Sequence, residues 1–515
     1  MNSESRTTKS VFNIGVSVFN SFLLVLLNYI GRIIFVRYLD ASYLGINGLF
    51  SNVISILSIA DLGIATALTY SLYKPIKEKD TEKINVLIHF FKKVYTLIAL
   101  AVFIFGLVLM PLLPFIVNLE NTPKDIYIYY ILFVLESASS YLFSYKATLL
   151  TADQKNYYVA FVDIGLNIFK FLGRILIVIF TQNYVFYVAF GVASNILFNF
   201  FKNLVTTHKY KYLSRKAPPL SKEDRKIIFS NVGSTFLYKI GGVIQTNTDS
   251  ILISIYVGTI MVGYYSNYTM LITSVTSLLT MLFSAIKASL GNFIQNYTDD
   301  KDKMYELYKA LDFANFWLIG FCSIAFICLF QDFTRVSYGE EYLLPILTVI
   351  LIVVNFYTSN IRQNMWAFRE TTGLFNKTKY ITLVTSGANL ILSIIFGYFF
   401  GLAGILGSTI VARFLYAFWR EPIILFKSVF GKSSKSYFIN YLIQFLIFII
   451  VCGLTYAICY FINIDNQILE FVLKVVFVAI FPNVIFFIMF FKTKNFQFLL
   501  KRFIGIFKKN KQIDN

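Results

Sequence analysis

Apolar runs of about twenty residues recur from one end of this 515-residue chain to the other, each long enough to cross about 30 Å of hydrocarbon as a helix. That recurrence decides the fold class, because inside a bilayer every backbone N–H and C=O must be satisfied within the protein. A closed β-barrel would show short alternating segments, and the runs here are continuous. Charged residues make up only 14% of the chain, against about 25% in soluble proteins, so too little polar surface exists to coat a soluble globule. The expectation is an all-α integral membrane protein of about fourteen transmembrane helices. The runs fall at 11–36, 45–73, 87–117, 127–150, 157–181, 184–206, 227–256, 262–293, 308–331, 342–368, 378–400, 402–422, 438–463 and 467–491. Only glycines around Gly401 and Gly404 separate the eleventh from the twelfth.

The first run follows a short polar leader and is too long for a signal-peptide core, so it reads as a retained helix. With the N-terminus placed in the cytoplasm, about 35 of the 46 Lys and Arg fall in cytoplasmic connections, eight lie within spans, and only Arg37, Lys124 and Arg335 fall on the outer side. Both termini are then cytoplasmic. The net charge of +19 becomes a matter of topology, with no need for nucleic acid, and the basic tail suits anionic headgroups. The outer connections are all short, too small for a catalytic domain, which argues against a membrane glycosyltransferase or polymerase and for a non-enzyme.

The longest cytoplasmic linker, Lys202 to Lys226, lies between two sets of six spans and reads as a hinge. The expected organisation is an N-lobe at 1–206, a linker at 207–226, a C-lobe at 227–425, two added helices at 426–491 and a basic tail at 492–515. An internal likeness supports parallel halves: Arg32 to Ser51 aligns with Ser250 to Thr269, placing Tyr38 on Tyr256 and Gly45 on Gly263.

Polar stripes run along the first two helices of each half. Asn20, Asn28 and Arg32 share one face of the first, and Ser55, Ser58 and Asp61 one face of the second. The seventh carries Tyr238, Gln245 and Asp249 with Lys239 nearby, and the eighth carries Thr273, Thr280 and Lys287. Such residues also glue helices together, but four matched stripes point to a shared wet cavity. On the fifth helix Asp163, Asn167, Lys170 and Arg174 climb one face. Lys170 and Arg174 are like charges one turn apart, an expensive arrangement unless an anion sits against them. Arg362 lies on a stripe of the tenth helix, whereas Glu470 and Lys474 read as a plain i, i+4 ion pair. The surplus of embedded cations suggests an anionic ligand.

Motifs of soluble chemistry are missing. The cysteines lie inside apolar runs without CxxC spacing, and the glycines at 401, 404 and 407 follow no strand, so no metal, nucleotide or other cofactor is expected.

Two short stretches carry a family likeness: Arg37 to Gly45 (RYLDASYLG) after the first helix, and Ala60 to Ala67 (ADLGIATA) in the second. In these, and in its span count, the chain resembles the polysaccharide transporter family of Wzx-type repeat-unit flippases, within the multidrug/oligosaccharidyl-lipid/polysaccharide exporter superfamily. Asp40 stands where that family usually has glycine. The resemblance implies a bacterial cytoplasmic-membrane protein whose cavity is lined by helices one, two, seven and eight. It further implies alternating-access transport of oligosaccharide on undecaprenyl diphosphate, alongside polysaccharide polymerase machinery. Residues expected to meet diphosphate or glycan are Asn28, Arg32, Lys170, Arg174, Lys239, Gln245, Lys287 and Arg362. Asp61, Asp163 and Asp249 are candidates for coupling to a proton or sodium ion. A lipid II flippase and an organic-cation antiporter are the alternatives, the latter disfavoured by the basic interior.

Overall fold

The computed structural model describes residues 6–501, apart from 62, 63, 121, 122, 143, 154, 215, 216 and 297–299. Among the described residues the chain is helical almost throughout and contains no strand. It divides into two compact units, one ending at Ser266 and one starting at Asn267.

The first unit contains α1 (Arg6–Tyr38), α2 (Ala41–Leu57), α3 (Ile64–Glu78), α4 (Thr81–Leu109), the short α5 (Leu113–Ile116) and α6 (Ile126–Tyr141). It continues through α7 (Ala147–Ala152), α8 (Asn156–Thr181), α9 (Tyr184–Lys209), α10 (Lys222–Tyr256) and the start of α11 (Thr259–Asn296). The second holds the rest of α11, then α12 (Lys301–Tyr338), α13 (Ile346–Asn360), α14 (Gln363–Thr371), α15 (Phe375–Ala412), α16 (Phe418–Leu425), α17 (Lys435–Phe461) and α18 (Gln467–Phe490). Short polar side chains start many of these helices by accepting first-turn N–H groups: Asp40 from Ser42 (2.8 Å), Asp80 from Lys83 (2.8 Å), Asn183 from Val185 (2.8 Å) and Asp300 from Lys303 (3.0 Å).

Nine helical stretches among the described residues are long and apolar enough to cross a membrane by length and composition alone. The remaining passages of the expected fourteen have identifiable reasons to fall short. The stretches 41–78 and 126–152 are each broken into two helices, and α10 and α11 are long enough but carry the polar stripes. The stretch Lys377–Phe430 runs through two passages. Within α15 the backbone reverses at Gly401, whose φ of 55° and ψ of −135° lie where a Cβ is disfavoured. The two arms then press together so closely that a Cβ on Gly404 would stand 2.0 Å from the Phe396 carbonyl oxygen. Asn389 donates to Thr409 (2.9 Å) and Ser393 shares a hydrogen bond with Ser408 (2.5 Å) across that hairpin.

The break between α13 and α14 leaves carbonyls without helical partners at membrane depth, a costly state unless protein donors reach them. The fully buried Asn315 of α12 supplies one, donating to the carbonyls of Asn360 (3.3 Å) and Ile361 (2.7 Å).

The linker expected to act as a hinge is packed down. Leu213 and Leu220 are buried with Ile84, Leu87 and Phe91 of α4, and the Tyr210 hydroxyl donates to Asp153 at 2.5 Å. Ser221 caps α10, and Asp224 pairs with Lys83 of α4. The Lys83 ammonium, helped by the Ser221 hydroxyl, holds the Asp224 carboxyl below the usual carboxylate range. Movement about the linker therefore has to break these contacts or leave them riding on α4.

The glycines matched by the internal repeat meet each other. A Cβ on Gly45 would lie 2.1 Å from the Thr259 carbonyl oxygen, and one on Gly263 would lie 2.8 Å from the Gly45 nitrogen. The turn after α1 and the turn after α10 thus pack backbone against backbone, an approach only residues without a Cβ allow.

Candidate transport site

The charged stripe of α8 faces protein. Glu136 of α6 offers its Oε1 to three donors: Lys170 Nζ of α8 at 2.7 Å, Asn195 Nδ2 of α9 at 3.2 Å and Arg174 Nη2 of α8 at 3.5 Å. Lys170 also donates to Asn195 Oδ1 at 3.2 Å. One carboxylate therefore serves two cations, which explains how Lys170 and Arg174 stand one turn apart in the membrane and leaves the cluster with a net positive charge. A second bridge, Lys202 to Asp163 at 2.7 Å, ties α9 to α8 further along the same faces.

Gly191 of α9 makes room for this arrangement, since a Cβ there would come within 2.0 Å of Arg174 Nη2 and 3.1 Å of Glu136 Oε1. The Arg174 guanidinium lies over the Tyr187 ring at 4.5 Å, a cation–π contact that partly compensates for lost water. Tyr187 and Tyr184 join Phe35 of α1, Tyr43 of α2 and Tyr129 of α6 in an aromatic group, with Tyr43 to Tyr184 at 4.8 Å and Phe35 to Tyr187 at 5.2 Å. Asn47 of α2 donates to the Tyr184 hydroxyl at 3.4 Å. Elements α1, α2, α6, α8 and α9 are thus joined around the pair of cations.

Arg32 of α1 is half-buried and donates Nη2 to Ser266 Oγ at 3.0 Å. One residue back, Gly31 packs on Phe171 of α8, so Arg32 belongs to the same helix pair as Lys170. Asn28 is exposed one turn earlier, and on α10 Gln245 is half-buried and Asp249 buried. The side chains of Asp61 and Lys239 lie outside the described residues.

The second unit has its own charge cluster. Glu421 of α16 pairs with Arg362, accepts from Arg369 Nη1 at 3.3 Å and from Trp366 Nε1 at 3.3 Å. Arg369 reaches Glu370 at 3.9 Å, and Lys287 of α11 closes the chain on Glu370 at 2.6 Å. Arg362 and Lys287 are therefore bound into a network internal to this unit, away from Lys170 and Arg174 in sequence and in partners. Arg413 is held by Thr358 and the Asn355 carbonyl. The expected pair of Glu470 with Lys474 is present at 2.5 Å, and Asp332 of α12 joins it at 2.9 Å from Lys474.

Spacing along one helix could bring out the Lys170–Arg174 stripe. The partner carboxylate could not be read that way, because Glu136 is 34 residues from Lys170 and shares no helix with it. Gly191, Asn195 and Tyr187 were likewise missed; each is an ordinary residue of an apolar helix until α9 is laid against α8.

No protein-family model matches the chain, and no curated protein matches it in sequence. Solved structures do match its fold. A lipid II flippase MurJ in an inward closed conformation superposes with a TM-score of 0.67 at 15% identity, over 93% of this chain and 99% of that one. An inward-facing multidrug resistance MATE family transporter of the MOP superfamily gives 0.62 at 15% identity, over 79% and 95%. A point mutant of the Vibrio cholerae MATE transporter VcmN gives 0.51 at 12% identity, over 83% and 98%. At such identities the likeness is one of fold: this is a multi-pass membrane protein with the architecture of MurJ and MATE transporters.

Proposed function

We propose that this chain is a flippase that carries undecaprenyl-diphosphate-linked oligosaccharide repeat units across the bacterial cytoplasmic membrane by alternating access, for O-antigen, capsule or exopolysaccharide assembly. The observation that carries the reading is the pair Lys170 and Arg174 on a single carboxylate. A lone Glu136 balances one of them, so the site retains positive charge that a diphosphate would neutralise as its own hydration is stripped away. The match to a lipid II flippase over 93% of the chain, against 79% for the MATE transporter, supports a lipid-linked cargo. In this reading Arg32 and Asn28 extend the anion and glycan contacts along α1. Because Asp163 is tied to Lys202, ion coupling falls to Asp249 and Asp61. Polymerase machinery would take up the flipped units outside.

A lipid II cargo differs only in its glycan and keeps the same cationic requirement. An organic-cation antiporter draws support from the aromatic group of Phe35, Tyr43, Tyr129, Tyr184 and Tyr187, yet the face of Tyr187 is already taken by Arg174.

The test uses proteoliposomes with a fluorescent polyprenyl-diphosphate glycan. Wild-type protein moves it between leaflets, and Arg32→Ala, Lys170→Ala and Arg174→Ala each lower the rate at least tenfold with normal protein recovery. Full translocation by all three variants, or movement of an organic cation and not of the diphosphate lipid, would refute the proposal.

A further inference from the structure

Embedded carboxylates of this protein meet cations almost wherever they are found: Glu136, Asp163, Asp332, Glu370, Glu421 and Glu470 each pair with Lys or Arg. Asp312 of α12 differs. Among the described residues no Lys or Arg nitrogen lies within 4.0 Å of it, and its visible side-chain partner is neutral, Gln444 Nε2 at 3.3 Å on Oδ2. An ionised carboxylate in such a place is costly unless positive charge is brought to it.

Asp312 lines a cavity of about 140 Å³ inside the second unit, between α12, the π-helical turn Phe426–Phe430 that follows α16, and α17. A liquid water takes about 30 Å³, so the space suits a group of a few heavy atoms. Aromatic rings wall it. Phe426 stands 5.9 Å from Tyr305, 5.4 Å from Tyr308 and 5.9 Å from Tyr437, and all four rings line the cavity. A carboxylate set among aromatic rings is an environment that suits an ammonium ion. Lys309, on the same cavity wall, has its Nζ 4.9 Å over the Tyr305 ring and not on Asp312. The cavity therefore presents a negative group and, beside it, a positive one.

Its place along the helices says what could bring both charges. Tyr305 lies in the second turn of α12, Tyr437 in the first turn of α17, and Thr493 and Asn495 just beyond α18. The cavity thus lies toward the helix ends that carry the basic connections, where the headgroups of a bilayer would gather. From it the outward stripe Ile439, Ile443, Leu446 and Ile450 of α17 runs exposed toward the hydrocarbon, with Ile443 itself in the cavity wall. We infer that this cavity binds the headgroup of an aminophospholipid, its primary ammonium on Asp312 within the aromatic wall, its phosphate toward Lys309 and its acyl chains along α17.

The whole chain, delipidated in detergent, is titrated with dioctanoyl phosphatidylethanolamine, and binding is read by native mass spectrometry. Saturable binding is expected, weakened at least tenfold by Asp312→Asn and several-fold by Lys309→Ala. Dioctanoyl phosphatidylglycerol and phosphatidylcholine, which lack a primary ammonium, bind at least tenfold less tightly. Free ethanolamine does not displace the bound lipid at equal concentration. Equal binding of all three lipids, or undiminished phosphatidylethanolamine binding by Asp312→Asn, overturns the inference; displacement by free ethanolamine overturns its lipid part. Should Asp312→Asn fail to fold, Gln444→Ala and Tyr437→Leu serve in its place, and unchanged binding by both counts against the site.

Discussion

Two clusters of the same make-up sit in very different surroundings. Around Glu136 the side chains of the two cations and the carboxylate keep 19%, 24% and 19% of their exposure, and an Asn completes the set. Around Glu421 the corresponding values for Arg362, Arg369 and the carboxylate are 8%, 4% and 5%, and a Trp completes it. Both hold one carboxylate against two cations. The buried one is shut off and anchors α14 to α16, its charges taken up by one another and by Glu370 beside Arg369. The other keeps about a fifth of its side-chain surface uncovered, which in the proposed function is where a ligand would reach Lys170 and Arg174. Location, not residue type, separates a strut from the cluster we propose as a binding site, because the desolvation cost that locks a buried ion pair falls as exposure rises.

The largest effect that tests this contrast is expected from Glu421→Gln. It leaves Arg362 without its carboxylate and Arg369 with Glu370 alone, and should cost about 3–5 kcal/mol, seen as a steep loss of folded protein in detergent melting. If the melt is unchanged, the buried cluster is not the anchor described. Gly45→Val comes next: backbone oxygen of Thr259 occupies the space of the new side chain, so the α1–α2 and α10–α11 turns must part, at about 1–3 kcal/mol for overpacking. Cysteine cross-linking between the two turns should fall accordingly. Glu136→Gln should lower stability by only about 1–2 kcal/mol, since Asn195 remains on Lys170 and the cluster is less covered than that of Glu421. It should instead tighten retention of a diphosphate lipid and slow its release, which a stability role alone would not do. The smallest effect belongs to Asp224. Its carboxyl is depressed in the folded chain, so the Lys83 link contributes above the ordinary Asp pKa of about 4 and fades as pH falls through the lowered value. Proteolysis of the 207–226 linker should rise on acidification in wild type and already be raised at neutral pH in Asp224→Asn.

Much of the fold was legible in the chain. The hairpin at Gly401 shows how: a single glycine between two long apolar runs is enough to turn the backbone, and the turn lies where the glycines lie. The matched glycines 45 and 263 were legible as a repeat, though not as a contact. The candidate site was half legible. The stripe Asp163, Lys170, Arg174 is a helical period and needs no tertiary information, and the cost of two adjacent cations called for an anion. That the anion is first of all the protein's own Glu136 depends on how α6 and α9 dock on α8. Asp312 shows the reverse failure, a carboxylate inside an apolar run that stands out only once helices pack and no cation among the described residues meets it.

Length of apolar runs, their spacing and the bias of Lys and Arg determine by themselves that the chain is helical, embedded and many times membrane-crossing, because the bilayer allows few solutions and imposes them locally, one segment at a time. Which cation meets which carboxylate, and how far each pair is covered, is decided only when helices pack. A side chain's position on its helix follows from a period of 3.6 residues, whereas its partner follows from crossings between segments tens to hundreds of residues apart, and it is those crossings that bury the Glu421 cluster and leave that of Glu136 less covered.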